Sequence, residues 1–346
     1  ADIMSGGGIT NAIVVFCEKL VGHIKGGLAH VNVLASMLFA GLSGSAAADA
    51  AGLGPIEIKM MTDGGYDKEF SSCVTAASAI IGPIIPPSNI MIIYAGCVGT
   101  VSVGKMFLAG AIPGILLGIA YMIFCYWISV KRKYPCRKTR ATWKEIGHAT
   151  WETLPALLLP IIIMGTITLG ICTATESSAI AVIYSTIVAA CKKNLSIKSF
   201  CRACIRSAKA AANVLFIIAI SSAMAWAVTT LGVAQALTNF CVAYINNKIV
   251  FLLFVNVLLL LIGMLLDASP ALLLMVPILW PVAKTLGIDA IHFGVMVCFN
   301  LMVGTLTPPV GMMLFIQIWN DLLQQIIYIN SMSKFTFAIA LTNFTG

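Results

Sequence analysis

The sequence is poor in charge. Only 10% of its 346 residues are Asp, Glu, Lys or Arg, and 60% are hydrophobic. Because a soluble domain carries roughly 25% charged residues, this shortage excludes an ordinary soluble globular domain. A protein with a single anchor or a cleaved signal peptide is excluded as well, since it would leave a polar remainder and none is found here.

Motifs for metal binding and catalysis are also lacking. The four histidines show no ligand spacing, no HExxH or GxGD motif occurs, and Ser43 is not in a GxSxG elbow. The eleven cysteines are scattered through apolar segments, as is typical of small buried apolar residues. Cys201 and Cys204 form a single CxxC, which is weak evidence for zinc or redox chemistry. We therefore expect no enzyme activity, no cofactor and no metal of the transition type.

Long apolar runs are abundant instead. Runs of about 20 residues, enough to cross a bilayer, recur along the chain. Clear cases are 105–128, 154–171 and 250–266. The sequence therefore predicts an all-α polytopic membrane protein embedded in a lipid bilayer.

The net charge of +8 raises the alternative of a nucleic-acid partner. The basic residues, however, cluster at 131–140 and 192–209, beside apolar spans. Loops that are rich in Lys and Arg lie on the cytoplasmic side of spans. We therefore expect no nucleic acid as a partner, a cytoplasmic basic loop over 131–153, and connecting and scaffold helices over 154–231.

The apolar stretch that follows Lys25 predicts a re-entrant hairpin over 27–60. Counting spans back from the basic loop places Lys59 on the cytoplasmic side, and the stretch returns to that side if Lys25 lies there too. Its middle, 41–45, reads GLSGS and is small and polar, which suits an unwound tip.

An internal repeat is the sharpest feature of the sequence. Shifting the chain by 222 residues without a gap places Ser45 on Asp267, Gly82 on Gly304, and the Pro-Pro pair at 86–87 on the pair at 308–309. The two units are 27–130, with hairpin 27–60 and broken helix 70–98, and 248–316, with hairpin 248–285 and broken helix 290–316. Because an odd number of spans separates the units, the second is expected to be inverted relative to the first.

Two proline-broken helices and two hairpin tips at mid-membrane predict a binding site. A Pro-Pro pair removes two backbone donors, and hydrocarbon cannot satisfy the carbonyl groups that are freed. Carbonyl and hydroxyl oxygens suit sodium, while the N-termini of half-helices suit an anion. The pattern therefore predicts a secondary transporter for a cation and an anionic solute.

Several side chains at the tips keep two interpretations open. Asp267 either binds a cation or caps the helix that begins near Pro270, and both roles are compatible. Asp49 is expected to support the first turn of the returning helix. Glu176 lies between two spans outside the repeat, where a role at the N-terminus of a helix is as plausible as a functional role.

Four separated motifs in this order resemble the large membrane subunit of the tripartite ATP-independent periplasmic (TRAP) transporters. The motifs are FAGLSGSAAADAAGLGPIEI within 30–58, VTAASAIIGPIIPPS at 74–88, GMLLD at 263–267 and GTLTPPVG at 304–311. The resemblance implies a multi-pass protein of the bacterial inner membrane that imports organic acids with a sodium gradient. It also implies an elevator mechanism, a small four-helix membrane subunit and a periplasmic substrate-binding protein.

The resemblance also implies where sodium and the organic acid anion bind. The first unit would use the tip at 43–45 and the break that begins at Gly82, and the second would use the Asp267 region and 304–308. The candidate residues are Ser43, Gly44, Ser45, Gly82, Pro86, Pro87, Ser88, Asp267, Ser269, Gly304, Thr305, Thr307 and Pro308. The acid could be a dicarboxylate, a sugar acid or a compound like sialic acid.

Three departures from the family pattern leave alternatives open. Residues 1–26 are expected to form an arm helix preceded in the family by further spans. The resemblance stops after Phe315, and the further proline that the family usually has near Ile90 is missing. The divergent tail 317–346 suggests a truncated or frameshifted product, and hence a non-functional remnant. A stand-alone sodium/carboxylate symporter is the other alternative, and dependence on a binding protein distinguishes it.

Overall fold

The computed structural model describes residues 3, 9–136, 140–192, 196–232 and 247–307. Every regular element within these ranges is a helix, so the prediction of an all-α protein is confirmed for them. The predicted tail 317–346, the residues 308–316 of the second broken helix and most of 1–8 lie outside the described residues. The helices are α1 Ile9–Val21, α2 Gly27–Ser43, α3 Ala46–Gly52, α4 Gly54–Asp63, α5 Lys68–Ala79, α6 Asn89–Val98, α7 Val103–Arg132, α8 Trp143–Thr168, α9 Ala174–Cys191, α10 Ile197–Thr230, α11 Lys248–Leu265, α12 Ala268–Thr285 and α13 Ala290–Gly304.

Six of these helices, α7 to α12, are long and apolar enough to cross a membrane. Their outward faces expose large apolar side chains that water would not tolerate in such number, including Leu116, Phe124, Ile161 and Val257. The chain is therefore a multi-pass membrane protein.

The helix bounds recur at the 222-residue offset of the sequence repeat. In the first hairpin, α2 ends at Ser43 and the return begins at Ala46; in the second, α11 ends at Leu265 and α12 begins at Ala268. The N-cap residues of α5 and α13, Asp67 and Asp289, keep the same spacing. Corresponding residues thus bound the two tips and precede the two helices that follow the hairpins.

At the start of several helices, a side chain accepts hydrogen bonds from the free backbone N–H groups. Asp289 Oδ1 accepts hydrogen bonds from the backbone N–H groups of Ile291 and His292, at 2.9 and 3.0 Å. At the start of α9, Glu176 Oε2 accepts from the Thr173 N–H at 2.8 Å and completes a capping box. The carboxylate of Glu176 is therefore engaged in starting a helix.

The stretch predicted as a basic loop over 131–153 is partly helical. Helix α7 continues to Arg132, and α8 begins at Trp143, because Glu145 Oε2 accepts from the Thr142 N–H at 3.0 Å and caps the new helix. The connection is accordingly confined to 133–142. Trp143 is 87% exposed, as expected of an anchor at the membrane interface.

The largest apolar cluster joins the two repeat units. Helix α6, the second half of the first broken helix, packs against α12 and α13 of the second unit. Tyr94 on α6 is fully buried, and its hydroxyl donates to the Ala290 carbonyl at 2.7 Å. Gly294 leaves room for the Tyr94 ring. Contacts with the second unit therefore stabilise the helix that follows the first break.

Two glycines allow α11 and α13 to approach closely, and this contact gives a testable prediction. A β-carbon at Gly304 would lie 2.8 Å from the Gly263 α-carbon, whereas one at Gly165 in α8 would meet nothing within 4 Å. We expect Gly304→Ala to destabilise the protein by roughly 1–3 kcal/mol through overpacking. The melting temperature in detergent measures this. Gly165→Ala is the matched control, and equal melting temperatures for the two variants would contradict the contact.

An ion pair at the ends of α5 and α7 forms the second test of the fold. Arg132 donates to Asp67 Oδ2 at 2.7 Å, and the Tyr134 hydroxyl donates to the same oxygen. These hydrogen bonds, first that of Tyr134 and then that of Arg132, lower the pKa of Asp67 below its ordinary value. Tyr134 stacks on Tyr66 with ring centroids 4.5 Å apart. The cluster thus fixes the start of the first broken helix.

Since the pKa of Asp67 is lower in the folded than in the unfolded protein, the charged form stabilises the fold. This stability is present above the unfolded pKa and is lost as the pH falls through the folded pKa. We expect Asp67→Asn to reduce the acid-side fall of the melting temperature by a small amount, because the pair is exposed. Asp63→Asn, at an exposed carboxylate nearby, serves as the control and should follow the wild type.

Candidate functional site

The first hairpin tip is built by a glycine between two serines. Gly44 ends α2 with φ of 61°, a conformation that favours glycine, and a β-carbon there would lie 2.6 Å from the Pro87 carbonyl oxygen. Ser45 is the N-cap of α3, and its hydroxyl accepts weakly from the Ala48 N–H at 3.5 Å. The tip therefore contacts the first helix break through backbone atoms.

Asp49 is part of this tip, although the sequence predicted only a helix-supporting role for it. The Ser43 hydroxyl donates to Asp49 Oδ1, and the Ser45 N–H donates to the Ser43 hydroxyl at 3.3 Å. The residue is 1% exposed, and Oδ2 has no hydrogen-bond partner among the described residues. That oxygen faces Gly82 of the break. The only sequence signal for this arrangement was one acid in a run of alanines.

The first break spans residues 80–88, between α5 and α6. It contains Gly82 and the Pro86–Pro87 pair, as predicted. Ser88 donates its hydroxyl proton to the Pro83 carbonyl and accepts from the Met91 N–H at 3.3 Å. Its side chain is thus engaged in closing the break and starting α6.

The second tip is the bend at Leu266 and Asp267. Asp267 occupies the N-cap position of α12, yet its side chain makes no cap hydrogen bond. The backbone carbonyl of Asp267 accepts from the Ala271 N–H at 3.1 Å, and the residue is half-buried. Asp267 therefore has the position of a helix cap, but its side chain does not make the capping hydrogen bond.

The second break is described as far as Thr307. Gly304 packs on Gly263, while the hydroxyls of Thr305 and Thr307 donate to the carbonyls of Met302 and Val303 at 2.7 and 2.9 Å. Both hydroxyl protons are therefore used within the end of α13. Pro308 lies outside the described residues.

One cavity of about 650 Å³ brings the two tips together. From the candidate list it gathers Gly44, Ser45, Asp267 and Ser269, and it adds Pro83 and Asn89 from the first break and its following helix. Ala210, Ala211, Val214 and Leu215 of α10 form another wall. Ser43 and Pro87 instead line a neighbouring cavity of about 250 Å³ against α8 and α9.

Six further candidates within the described ranges do not line the larger cavity: Gly82, Pro86, Ser88, Gly304, Thr305 and Thr307. Within the described ranges no group of three or more His, Cys, Asp or Glu side chains is placed to hold a metal ion. The cavity can therefore offer one carboxylate, serine hydroxyls and the N-terminus of α12. An anion and a hard cation such as sodium suit this set of groups together.

Comparisons with known proteins show which proteins this chain is similar to. The family model described as "Tripartite ATP-independent periplasmic transporter, DctM component" matches residues 1–328. The chain is 42% identical over 315 residues to the sialic acid TRAP transporter large permease protein SiaM of Vibrio cholerae, covering 91% of this chain and 73% of that protein.

Two further relatives widen the range of named substrates. The sialic acid TRAP transporter permease protein SiaT of Haemophilus influenzae is 42% identical over 91% of this chain, which spans 51% of SiaT. The C4-dicarboxylate TRAP transporter large permease protein DctM of Pseudomonas aeruginosa is 37% identical over 90% of this chain and 73% of its own length.

The contact between Asp49 and Gly82 gives a test of the first tip. A β-carbon at position 82 would overlap Asp49 Oδ2, so we expect Gly82→Ala to lower stability by about 1–3 kcal/mol. Gly52→Ala in α3 is the matched control, because a β-carbon there meets nothing within 4 Å.

A double-mutant cycle identifies the cause of that loss. In an Asp49→Ala background the overlap disappears, and Gly82→Ala should lower the melting temperature less than it does in the wild type. An equal loss in both backgrounds would show that the carboxylate is not what position 82 must accommodate.

Proposed function

The chain belongs to the DctM-component family of the TRAP transporters, and from this we propose that it is the large permease subunit of a sodium-coupled importer of an organic acid. The observation that supports the proposal most is that Ser45 and Asp267, equivalent positions in the two units, line one cavity. The family is one of transporter permeases, and we expect its inner-membrane location to hold for this chain.

The proposed coupling follows from charge. An organic acid that enters the cavity meets the N-terminus of α12 and the hydroxyls of Ser45 and Ser269, which favour an anion. The Asp267 carboxylate in the same cavity repels that anion unless a cation neutralises it. Sodium bound at Asp267 would therefore raise the affinity for the acid, and the acid would raise the affinity for sodium.

We propose one sodium position in each unit. The first uses the oxygens of the tip at 43–45, Asp49 and the carbonyl groups of the break from Gly82 to Pro86. The second uses Asp267 and the carbonyl groups from Gly304 to Pro308. In support, Asp49 Oδ2 is buried without a partner among the described residues and faces Gly82.

The proposed mechanism is an elevator built on inverted repeats. The agreement of helix bounds at the 222-residue offset supports two equivalent units, and the odd number of predicted spans between them supports inversion. The units also share a core through α6, α12 and α13, which suits a rigid transport domain. We propose that this domain slides against the helices of 154–231.

Two partners complete the proposal: a small four-helix membrane subunit and a periplasmic protein that delivers the acid. Relatives are named for sialic acid, C4-dicarboxylates and 2,3-diketo-L-gulonate, so we propose an acid among these kinds. The tips are lined mainly by small residues, and we therefore assign the choice of acid to the delivering protein.

Uptake into proteoliposomes tests the proposal. The chain is reconstituted with a candidate small subunit, and candidate binding proteins loaded with labelled acids are supplied with and without a sodium gradient. We expect sodium-driven uptake in the wild type. Asp267→Asn removes a charged sodium ligand worth about 1.5–3 kcal/mol. We therefore expect the sodium concentration that gives half-maximal uptake to rise roughly ten- to hundredfold.

Matched variants and alternative outcomes make the assay decisive. Ser45→Ala should weaken uptake less than Asp267→Asn because it removes a neutral ligand, and Asp63→Asn, far from the cavity, should leave uptake intact. Unchanged sodium dependence in Ser45→Ala and Asp267→Asn together would refute the assigned cation sites. Uptake of free acid without any binding protein would favour a stand-alone symporter.

A further inference from the structure

A second group of buried polar side chains lies between the first hairpin and the first half of the broken helix. Its members are Asn32 and Ser36 on α2, Glu57 on α4, and Thr75 and Ser78 on α5, and none is more than 1% exposed. Neither oxygen of Glu57 has a hydrogen-bond partner among the described residues. A charged carboxylate in this position is energetically unfavourable, so its charge must be compensated or removed.

The hydrogen bonds of the cluster run in one direction, away from Glu57. Ser78 donates its single hydroxyl proton to Asn32 Oδ1 at 2.8 Å or to the Thr75 carbonyl at 3.1 Å, and neither group can return it. Asn32 Nδ2 donates to Thr75 Oγ1 at 2.6 Å. Since the Ser78 proton is used, Ser36 must be the donor in its 3.0 Å bond to Ser78.

Ser36 is thus left with acceptor capacity alone toward Glu57, a carboxyl with which it interacts although the two groups make no hydrogen bond in the structure. A carboxylate offers only acceptors, and two acceptors facing each other repel. A carboxylic acid offers an O–H. We propose that Glu57 is protonated and that its O–H donates a hydrogen bond to Ser36. The neutral acid then begins a chain of hydrogen bonds that runs from Ser36 through Ser78 and Asn32 to Thr75.

The charges around Glu57 favour the same state. Among the described residues, the titratable groups that interact electrostatically with it are Asp49 on α3 and the buried thiol of Cys17 on α1, while α2 and α5 contribute the neutral side chains of the cluster. A charged Asp49 repels a second negative charge in the same interior. A proton on Glu57 leaves Asp49 free to carry its charge.

The proton has a mechanical consequence. Thr75 and Ser78 lie just before the break that begins at residue 80, and Ser36 lies on the hairpin that ends in the first tip. If Glu57 loses its proton, Ser36 turns its hydroxyl toward the carboxylate and gives up its bond to Ser78. The proton on Glu57 therefore holds the hairpin to the broken helix, and Glu57 acts as a positioning residue.

Infrared spectroscopy of the purified chain tests the proposal directly. At neutral pH the wild type should show the carbonyl band of a protonated, buried carboxylic acid. Glu57→Gln should remove that band. Asp49→Asn should retain it, as should Glu69→Gln, a control at an exposed glutamate on α5. A band that survives in Glu57→Gln, or that disappears in Asp49→Asn, overturns the proposal.

Two further measurements keep the test decisive if Glu57→Gln folds poorly. Ser36→Ala removes the acceptor, so the Glu57 band should shift in frequency; an unshifted band overturns the assigned hydrogen bond. In the wild type, sodium should leave the band unchanged, because Glu57 binds a proton. Loss of the band on adding sodium, but not potassium, would show a sodium site instead and overturn the proposal.

Discussion

Backbone groups freed by a broken helix cannot be satisfied by hydrocarbon, and the arrangement of this protein depends on how they are covered. At the first break, Ser88 bonds the Pro83 carbonyl and Gly44 brings the hairpin tip against the Pro87 carbonyl. Gly82 leaves room for the Asp49 carboxylate at the same place. Protein groups thus replace the water that a break in a soluble helix would have. We propose that the transported ion and solute bind in the polar interior that results.

Charge in this interior is distributed over three carboxyl groups with different surroundings. Asp49 is held by Ser43 on one oxygen and open on the other, Asp267 lies half-buried in the shared cavity, and Glu57 is enclosed among neutral side chains. Each carboxylate is expensive in a medium of low dielectric constant. A sodium ion can offset the first two because they face a cavity or a break, whereas a proton suits the third. In the proposed account, the two kinds of cation therefore bind at separate places in the chain.

The sequence predicted much of the architecture because its signals were local. The 222-residue offset anticipated where the paired helices end and begin, since a tip needs small residues and a cap in a fixed order. The grouping of Ser45 with Asp267 followed from that offset. The length of α8 was missed because a capping box at 142–145 extends an apolar span with a polar first turn.

The individual roles of side chains could not be predicted in the same way. Asp49 and Glu57 lie on short helices whose buried face is decided by how they pack against α5 and α2, and the residue pattern of the short helices does not specify that packing. The hydroxyls of Ser88, Thr305 and Thr307 were candidate ligands, yet each bonds a nearby carbonyl, as Ser and Thr often do in broken helices. Packing decides which oxygens remain available to bind a ligand, and the pattern of residue types in the sequence does not reveal that packing.

The central claim is that the two hairpin tips bind sodium, and ligand-dependent stability measures it without knowledge of the acid. Sodium that binds the folded chain raises its melting temperature with concentration, as any ligand of the native state does. We predict such a rise with sodium but not with potassium at equal ionic strength, and its loss in the double variant Asp49→Asn Asp267→Asn. An equal response to both ions, or a sodium response that persists in the double variant, would contradict the account.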